Sequence, residues 1–269
     1  MKLLTSTVIA AALTLAPAYA GAQTLLYNQN FESPNVPPTF NSADVSSETV
    51  NSLYGGQPAG FSFAQDHTVE TLRIGGSGAF GVGYSDPAGT GGGYVIGFLS
   101  SLQDDLLGLS FNVGTFDFLN VRADISSIDL SCCGGEFVNN GDPSSIPIFR
   151  FSLFDNPGGG LGVGSGAALD FFDVIGLANP SNSIFLFSEA LGGLDATGST
   201  NGNVILQIDL RQGGYAALDN LRVVASNTKG QIDVPGIPEP ATWAMMIMGF
   251  GAMGTIIRRR RAQATVATA

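Results

Sequence analysis

Between residues 23 and 236 the apolar side chains of this chain come in short runs with a period of two, and that pattern limits the fold more than any other feature. Residues 146–154 show it most plainly. Ile148, Arg150, Ser152 and Phe154 share one parity, while Pro147, Phe149, Phe151 and Leu153 share the other. Successive side chains of a strand point to opposite faces, so such a run lays one face on a core and offers the other to water. Residues 24–31, 61–64, 69–74, 94–99, 106–113, 168–175, 183–187, 204–210 and 216–224 read as further strands, and 116–121 with 125–130 as a closely spaced strand pair beside Asp124 and Asp129. Run 106–113 is apolar on both faces and is expected in the middle of a sheet. No helical period persists beyond about two turns. About ten to twelve short strands separated by Gly, Asp, Asn and Pro predict an all-β chain built as an antiparallel β-sandwich.

The segments between the runs are rich in breakers. Residues 41–60 read as a long loop with at most one short strand, 132–145 as a turn-rich loop, and 75–93 hold nine glycines around a Ser85-Asp86-Pro87 turn. Glycine brings no side chain to a core, so this last stretch is expected as a wide, flexible loop or an irregular edge. It lacks both the Walker spacing and the strand–Gly-x-Gly-x-x-Gly–helix context of a nucleotide cradle. Residues 156–166 and 192–202 are further Gly-rich loops. Phe occurs 18 times and Trp once, at Trp243, so the aromatics read as core and a Trp-lined sugar platform is absent.

Both ends carry targeting chemistry. Lys2, the apolar residues 3–17 and Ala18-Tyr19-Ala20 form a secretory signal peptide over 1–22, cut by signal peptidase to leave Gly21 or Gln23 first; Ala20-Gly21-Ala22 is a competing site. At the other end Pro238-Glu239-Pro240 precedes an apolar run, residues 241–257, and then Arg258, Arg259, Arg260 and Arg261. Seventeen helical residues would reach about 25 Å, the short end of what crosses a hydrocarbon core, and the arginines favour the cytoplasmic side. A permanent single-span anchor uses the same physics.

The Pro238-Glu239-Pro240 turn, Trp243, the apolar helix with Gly249, Gly251 and Gly254, and the basic end resemble the PEP-CTERM protein-sorting signal of Gram-negative bacteria. That resemblance implies export, transient inner-membrane anchoring by the C-terminal hydrophobic helix, recognition by an exosortase-type membrane enzyme, cleavage near Pro-Glu-Pro, and a destination in the cell envelope or outside it. The expected organisation is then a signal peptide (1–22), a β-sandwich domain (23–230), a linker (231–236), the sorting signal with its transmembrane helix (237–262) and a disordered tail (263–269).

Leader and tail remove Lys2 and Arg258–Arg261 from the 11 basic residues and Glu239 from the 22 acidic ones, so residues 23–236 carry 6 basic against 21 acidic, a net of −15. Such a surface repels nucleic acid and suits divalent cations or neutral partners. Cys132 and Cys133 are adjacent, with Cα atoms about 3.8 Å apart across a trans peptide, so a vicinal disulfide would be strained and free thiols in a turn are the alternative. With His67 the lone histidine, a metal or redox role for the cysteines is not expected.

Phe31-Glu32-Ser33-Pro34 closes the first strand, and Gly214 to Leu221 opens the last. The mature region resembles the jelly-roll β-sandwiches found among exported PEP-CTERM proteins and carbohydrate-binding modules, in which first and last strands lie side by side. The resemblance implies that Glu32 and Asp219 meet around a structural Ca²⁺, with backbone carbonyls completing an oxygen shell. The alternative is that Glu32 caps a turn and Asp219 accepts backbone N–H bonds in one. Two carboxylates plus carbonyls make a modest calcium site where the ion is millimolar.

No catalytic constellation stands out. Asp104-Asp105 and Asp170/Asp173 are the most suggestive acid pairs for glycoside hydrolysis, yet the first reads as a solvated turn and Asp170 as the outward phase of a strand. His67, after Asp66 in a loop, reads as a surface residue, which leaves a Ser-His-Asp arrangement without its base. The leading expectation is an exported, non-catalytic envelope or matrix protein. A carbohydrate-binding module for extracellular polysaccharide, with exposed Tyr or Phe on a concave face and Tyr54, Tyr84, Tyr94 and Tyr215 as candidates, is the alternative, and a secreted hydrolase the third.

Overall fold

The computed structural model describes residues 23–37, 49–75, 84–100, 105–128, 146–178, 184–213, 215–232 and 248. Their strands are β1 (Gln23–Gln29), β2 (Phe63–Asp66), β3 (Val69–Arg73), β4 (Tyr94–Phe98), β5 (Leu106–Asn112), β6 (Phe118–Ile128), β7 (Ile148–Asp155), β8 (Ala168–Ile175), β9 (Ser188–Asp195), β10 (Asn203–Gln212) and β11 (Tyr215–Ser226), with one helix, α1 (Val50–Tyr54). They form two antiparallel sheets. Sheet A runs β3-β4-β11-β6-β9, with β1 also on β11, and sheet B runs β2-β5-β10-β7-β8.

The period of two explains the core. Phe149, Phe151 and Leu153 of β7 and Val204, Leu206, Ile208 and Leu210 of β10 turn inward from sheet B; Leu119, Val121, Ala123 and Ile125 of β6 and Leu218, Leu221 and Val223 of β11 meet them from sheet A. Phe98 of β4 and Phe149 of β7 join the sheets edge to face, with ring centroids 5.2 Å apart. Cutting one such buried Phe to Ala costs about 3–5 kcal/mol. A second cluster covers the other side of sheet A, where Leu72, Val95, Leu99, Ile128 and Tyr215 pack beneath Tyr84 and Phe185.

Several expectations need correcting. Residues 116–130 hold no turn up to Ile128: β6 is one strand of 11 residues, and Asp124 lies inside it because its side chain takes the outward phase. Residues 50–54 are helical, with Thr49 as N-cap, its hydroxyl accepting from Ser52 N at 3.3 Å. Gly192-Gly193 belong to β9. A Cβ at Gly192 would lie 2.5–2.7 Å from the Phe172 ring, so this glycine lets β8 pack onto β9. Residues 183–187 hold no strand among those described, only a bridge at Ile184 to Ser85. In the Gly-rich stretch 75–93, Gly91 packs among Phe187, Ile74 and Val95 at 2.8–2.9 Å from an added Cβ; close approach, not looseness, requires that glycine.

The signal peptide, Cys132-Cys133, Asp104, Asp129 and the sorting residues Pro238, Glu239, Pro240, Trp243, Arg258, Arg259, Arg260 and Arg261 lie outside the described residues. Among the described residues no helix is long and apolar enough to cross a membrane.

Candidate functional site

One edge of β11 is shared by two strands, and the acid site sits where they change over. β4 pairs with Ala216–Leu218 and β1 with Leu221–Ser226, so Asp219 and Asn220 have no partner on that edge. On the other edge β6 shifts register between Asp219 and Arg222. Asn220 has φ +50 and Phe31, just before Glu32, has φ +53; both are left-handed, a conformation Asn tolerates and Phe seldom adopts. First and last strands do lie side by side, as expected, and they bring Glu32 and Asp219 into one acidic cluster.

Asp219 is 1% exposed, and its Cα partner across the ladder is Asp124. Directly opposed like charges destabilise a sheet pair. Burial, then the carboxylates of Glu32, Asp124 and Asp86, push the Asp219 carboxyl up to about 8. Its oxygens accept from Asn220 N at 2.7 Å and Asn220 Nδ2 at 3.4 Å. Glu32 accepts from Gly93 N through both oxygens at 2.9 Å, with Tyr94 N at 3.4 Å. Gly92, just before Gly93, has φ +56, and a Cβ there would strike the Glu32 carboxyl. The hydrogen bonds of the turn reading are therefore present for both carboxylates.

Thr90 O, Asp124 Oδ2 and Asp219 Oδ2 lie 3.1, 2.8 and 3.4 Å from the single nitrogen Asn220 Nδ2. Two amide hydrogens face three oxygens, from the 84–93 loop, β6 and β11. An all-oxygen donor set of carboxylates and a carbonyl suits a hard cation such as Ca²⁺. Glu32, Asp219, Asp124 and Thr90 O come nearest to such a set, but these oxygens lie on Gly93 N and Asn220 Nδ2, and among the described residues no three Asp, Glu, His or Cys side chains are grouped so that they could hold a metal ion.

The second surface is the outer face of sheet B. Cross-strand register lines up Phe171, Ser152, Gln207 and Gly108 in one row across β8, β7, β10 and β5, and Asp173, Arg150 and Asp209 in the next. Arg150 binds Asp173 bidentately, Nε–Oδ1 2.7 Å and Nη2–Oδ2 2.8 Å, which lowers the Asp173 pKa, and its guanidinium lies 4.3 Å over the Phe171 ring. Asp209 meets Arg211 Nη1 at 3.0 Å; burial raises its pKa. Phe171 is 57% exposed. Loop 156–166 folds over part of this face: Ser110 Oγ donates to Gly160 O at 2.7 Å, and an added Cβ at Gly108 would meet Gly162 O. Beneath it Gln207 is buried, and its Oε1 accepts no hydrogen bond. A separate open, polar cleft of about 300 Å³ lies between the turn at Thr115 and Asp117 and the loop at Thr197, Thr200 and Asn201.

The other sequence candidates fall elsewhere. Tyr54, Tyr84 and Tyr215 are buried and Tyr94 is half-buried, so none is an exposed platform. The Tyr54 hydroxyl donates to Phe31 O at 2.6 Å. Asp105 is not a solvated turn residue. It is fully buried, accepting from Ser100 N at 2.6 Å, Thr68 N at 2.7 Å and Thr68 Oγ1 at 3.2 Å, and those bonds offset its desolvation. Asp170 turns to the β9 edge, where it accepts from Asp195 N and Lys229 Nζ. His67 is exposed, 3.5 Å from Asp66 Oδ1. Sequence reasoning missed Phe171, Arg150 and Gln207; the alternation in residues 146–154 and 168–175 held the signal, because Arg150 and Phe171 fall in the outward phase.

Residues 236–261 match the PEP-CTERM protein-sorting motif, and the chain carries that motif. It implies an exported protein and processing by exosortase, a membrane enzyme. No curated protein matches the chain. Solved structures similar to it include the CBM22-1 xylan-binding domain of Xyn10C from Paenibacillus barcinonensis (8% identity, 78% of this chain and 99% of that one, TM-score 0.41). An apo cyclase from Fischerella sp. (12%, 77% and 98%, 0.41) and the K3 cleaved adhesin domain of Lys-gingipain from Porphyromonas gingivalis (8%, 76% and 99%, 0.36) are similar too.

Proposed function

We propose that this is a non-catalytic β-sandwich of the cell envelope or extracellular matrix, sent there through its sorting signal, that holds neutral polysaccharide on the outer face of sheet B. The observation that carries the reading is the row across β8, β7 and β10. There an exposed aromatic ring, Phe171, adjoins the ion-paired Arg150–Asp173, with Asp209–Arg211 next along the sheet. A sugar ring offers C–H groups to Phe171 and hydroxyls to the fixed charges, and a net charge of −11 favours a neutral ligand over an anionic one. Asp105, Asp170 and Asp173 are each engaged in structural bonds, which supports a binding role over hydrolysis.

In this reading Ca²⁺ joins the segment after β1 to β11 through Glu32 and Asp219, displacing the proton that burial and the neighbouring carboxylates keep on Asp219. The polysaccharide test is retention of the purified chain on neutral polysaccharides of the producing bacterium, with Phe171→Ala as control. Equal retention of both, or shortening of the polysaccharide on incubation, would reject the reading. The calcium test is calorimetry; no heat and no change in melting temperature would remove the ion.

A further inference from the structure

Loop 156–166, the connection from β7 to β8, turns back over the outer face of sheet B and covers the far end of the row that starts at Phe171. Its base is tied down: Asn156 N donates to Asn203 O at 2.9 Å, Asp155 N to Ala167 O at 2.8 Å and Asn201 Nδ2 to Pro157 O at 3.0 Å. Its tip rests on Ser110, whose Oγ donates to Gly160 O at 2.7 Å, and on Gly108, where an added Cβ would meet Gly162 O and come within 3.0 Å of Val163 Cγ1. Six of its eleven residues are glycine, and Gly159, Gly164 and Gly166 have φ +67, +59 and +109, so the backbone on both sides of the tip lacks the Cβ that limits rotation.

What the loop covers is polar. Gln207 of β10 is 7% exposed, and its enclosed Oε1 has no donor; Gly164 passes so close that an added Cβ would lie 3.3 Å from that oxygen. Buried acceptors are nearly always bonded, and one left without a donor costs the closed form free energy that an open form recovers from water or a ligand hydroxyl. That cost narrows the free-energy gap between the two positions of the loop. Neighbouring strands lie about 4.8 Å apart, so Gln207, two strands from Phe171, stands about 10 Å along the row. A neutral sugar chain brings the C–H faces that suit Phe171 and the hydroxyl donors that Gln207 lacks.

We propose that loop 156–166 is a lid on the polysaccharide face and that Gln207 is a binding residue beneath it, its Oε1 accepting a sugar hydroxyl once the lid lifts. The inference rests on the reading of sheet B as a face for neutral polysaccharide and adds a subsite to it. Only the open fraction of the molecules presents the whole row, so the apparent affinity is the intrinsic affinity multiplied by that fraction.

The test measures retention of the full chain in gels that contain the neutral polysaccharide of the producing bacterium, with melting temperature as the control on folding. Gly108→Ala sets a methyl against Gly162 O and Val163, prising the lid, and should raise the affinity about threefold or more. Removing residues 158–164 uncovers the row outright and should act in the same direction, so a folding fault in one variant leaves the other to decide. Gln207→Leu should lower the affinity about fivefold or more with the loop intact or shortened, and should not lower the melting temperature, because it removes the unmet acceptor. A Gln207 that only shapes the sheet would show the reverse, a lower melting temperature and unchanged affinity. If wild type is retained through Phe171 but neither lid variant binds more tightly, or Gln207→Leu binds as well as wild type, the lid and its subsite are overturned while the reading of sheet B stands. If neither wild type nor the shortened chain is retained, both fall.

Discussion

Replacing Asp219 by Asn should make the calcium-free protein more stable at pH 8 and leave it nearly unchanged at pH 4. The folded Asp219 carboxyl keeps its proton up to about pH 8, against 3.8 for the ordinary group, chiefly because it is buried and then because Glu32, Asp124 and Asp86 face it. Between those values the folded chain binds more protons than the unfolded one, so stability falls as pH rises from about 4 to about 8 and levels off above. The full displacement sets a ceiling of roughly 6 kcal/mol, and water entry with side-chain relaxation brings the expected loss to about 2–3 kcal/mol. For a domain of this size that is on the order of 5–10 °C in melting temperature.

The Asp219→Asn substitution keeps the shape of the side chain and drops its charge. Thermal melts in chelator at pH 4, 6 and 8 should therefore show wild type falling while Asp219→Asn stays level. Calcium binds the deprotonated carboxylate, so millimolar Ca²⁺ should raise the wild-type melting temperature more at pH 8 than at pH 5, and should raise the variant less. Parallel curves for the two proteins across pH 4–8 in chelator would refute the electrostatic reasoning, whether or not calcium binds.

Three other substitutions test separate parts of the molecule. Phe171→Ala should cost less than about 1 kcal/mol, since the ring is largely exposed, yet lower retention on neutral polysaccharide by about tenfold; unchanged retention in an affinity gel would count against the sheet B face. Gly92→Ala puts a Cβ into the Glu32 carboxyl at a left-handed position and should destabilise by about 1–3 kcal/mol in urea unfolding. Asp105→Ala strands the buried Ser100 and Thr68 N–H groups and should cost about 2–4 kcal/mol by the same measurement, whereas a solvated turn residue would cost almost nothing.

Most of the strands were legible because their signal is local. Phe149, Phe151 and Leu153 alternate with Arg150 and Ser152 whatever the rest of the chain does, and β7 forms where the alternation predicts it. β9 was hidden for a physical reason: Gly192 and Gly193 read as a breaker, and only the Phe172 ring and Asn120, brought in from β8 and β6, show why small residues are needed there. Asp105 was misread likewise, since its burial depends on Thr68, 37 residues earlier. At the acid site, Glu32 and Asp219 could be paired only through the resemblance, whereas Asp124 and Asn220 needed the β6–β11 register. Of the exposed Tyr or Phe expected, the four tyrosines were the wrong candidates. Tyr54 and Tyr215 supply core volume, and Phe171 takes the exposed place through strand phase.

The order of assembly ties the fold to its delivery. β11 is the strand on which β4, β6 and β1 all pair, yet it is the last strand in the sequence. Sheet A therefore cannot close until residue 226 has emerged, and long-range pairing of this kind is slow because loop closure precedes any gain from contacts. In a chain exported N-terminus first, the sorting motif, only ten residues beyond Ser226, follows at once. Completion of the sandwich and emergence of the sorting motif are thus successive events over a short length of chain. A chain ending after Gln212 keeps every strand of sheet B but leaves the inner residues of β7 and β10 without Leu218, Leu221 and Val223 opposite them. It should bind a hydrophobic dye and melt without a cooperative transition, whereas a chain ending after Ile232 should melt cooperatively. A cooperative melt from the shorter chain would show that β11 is an addition to a finished fold, and the coupling of folding to delivery would then have no basis.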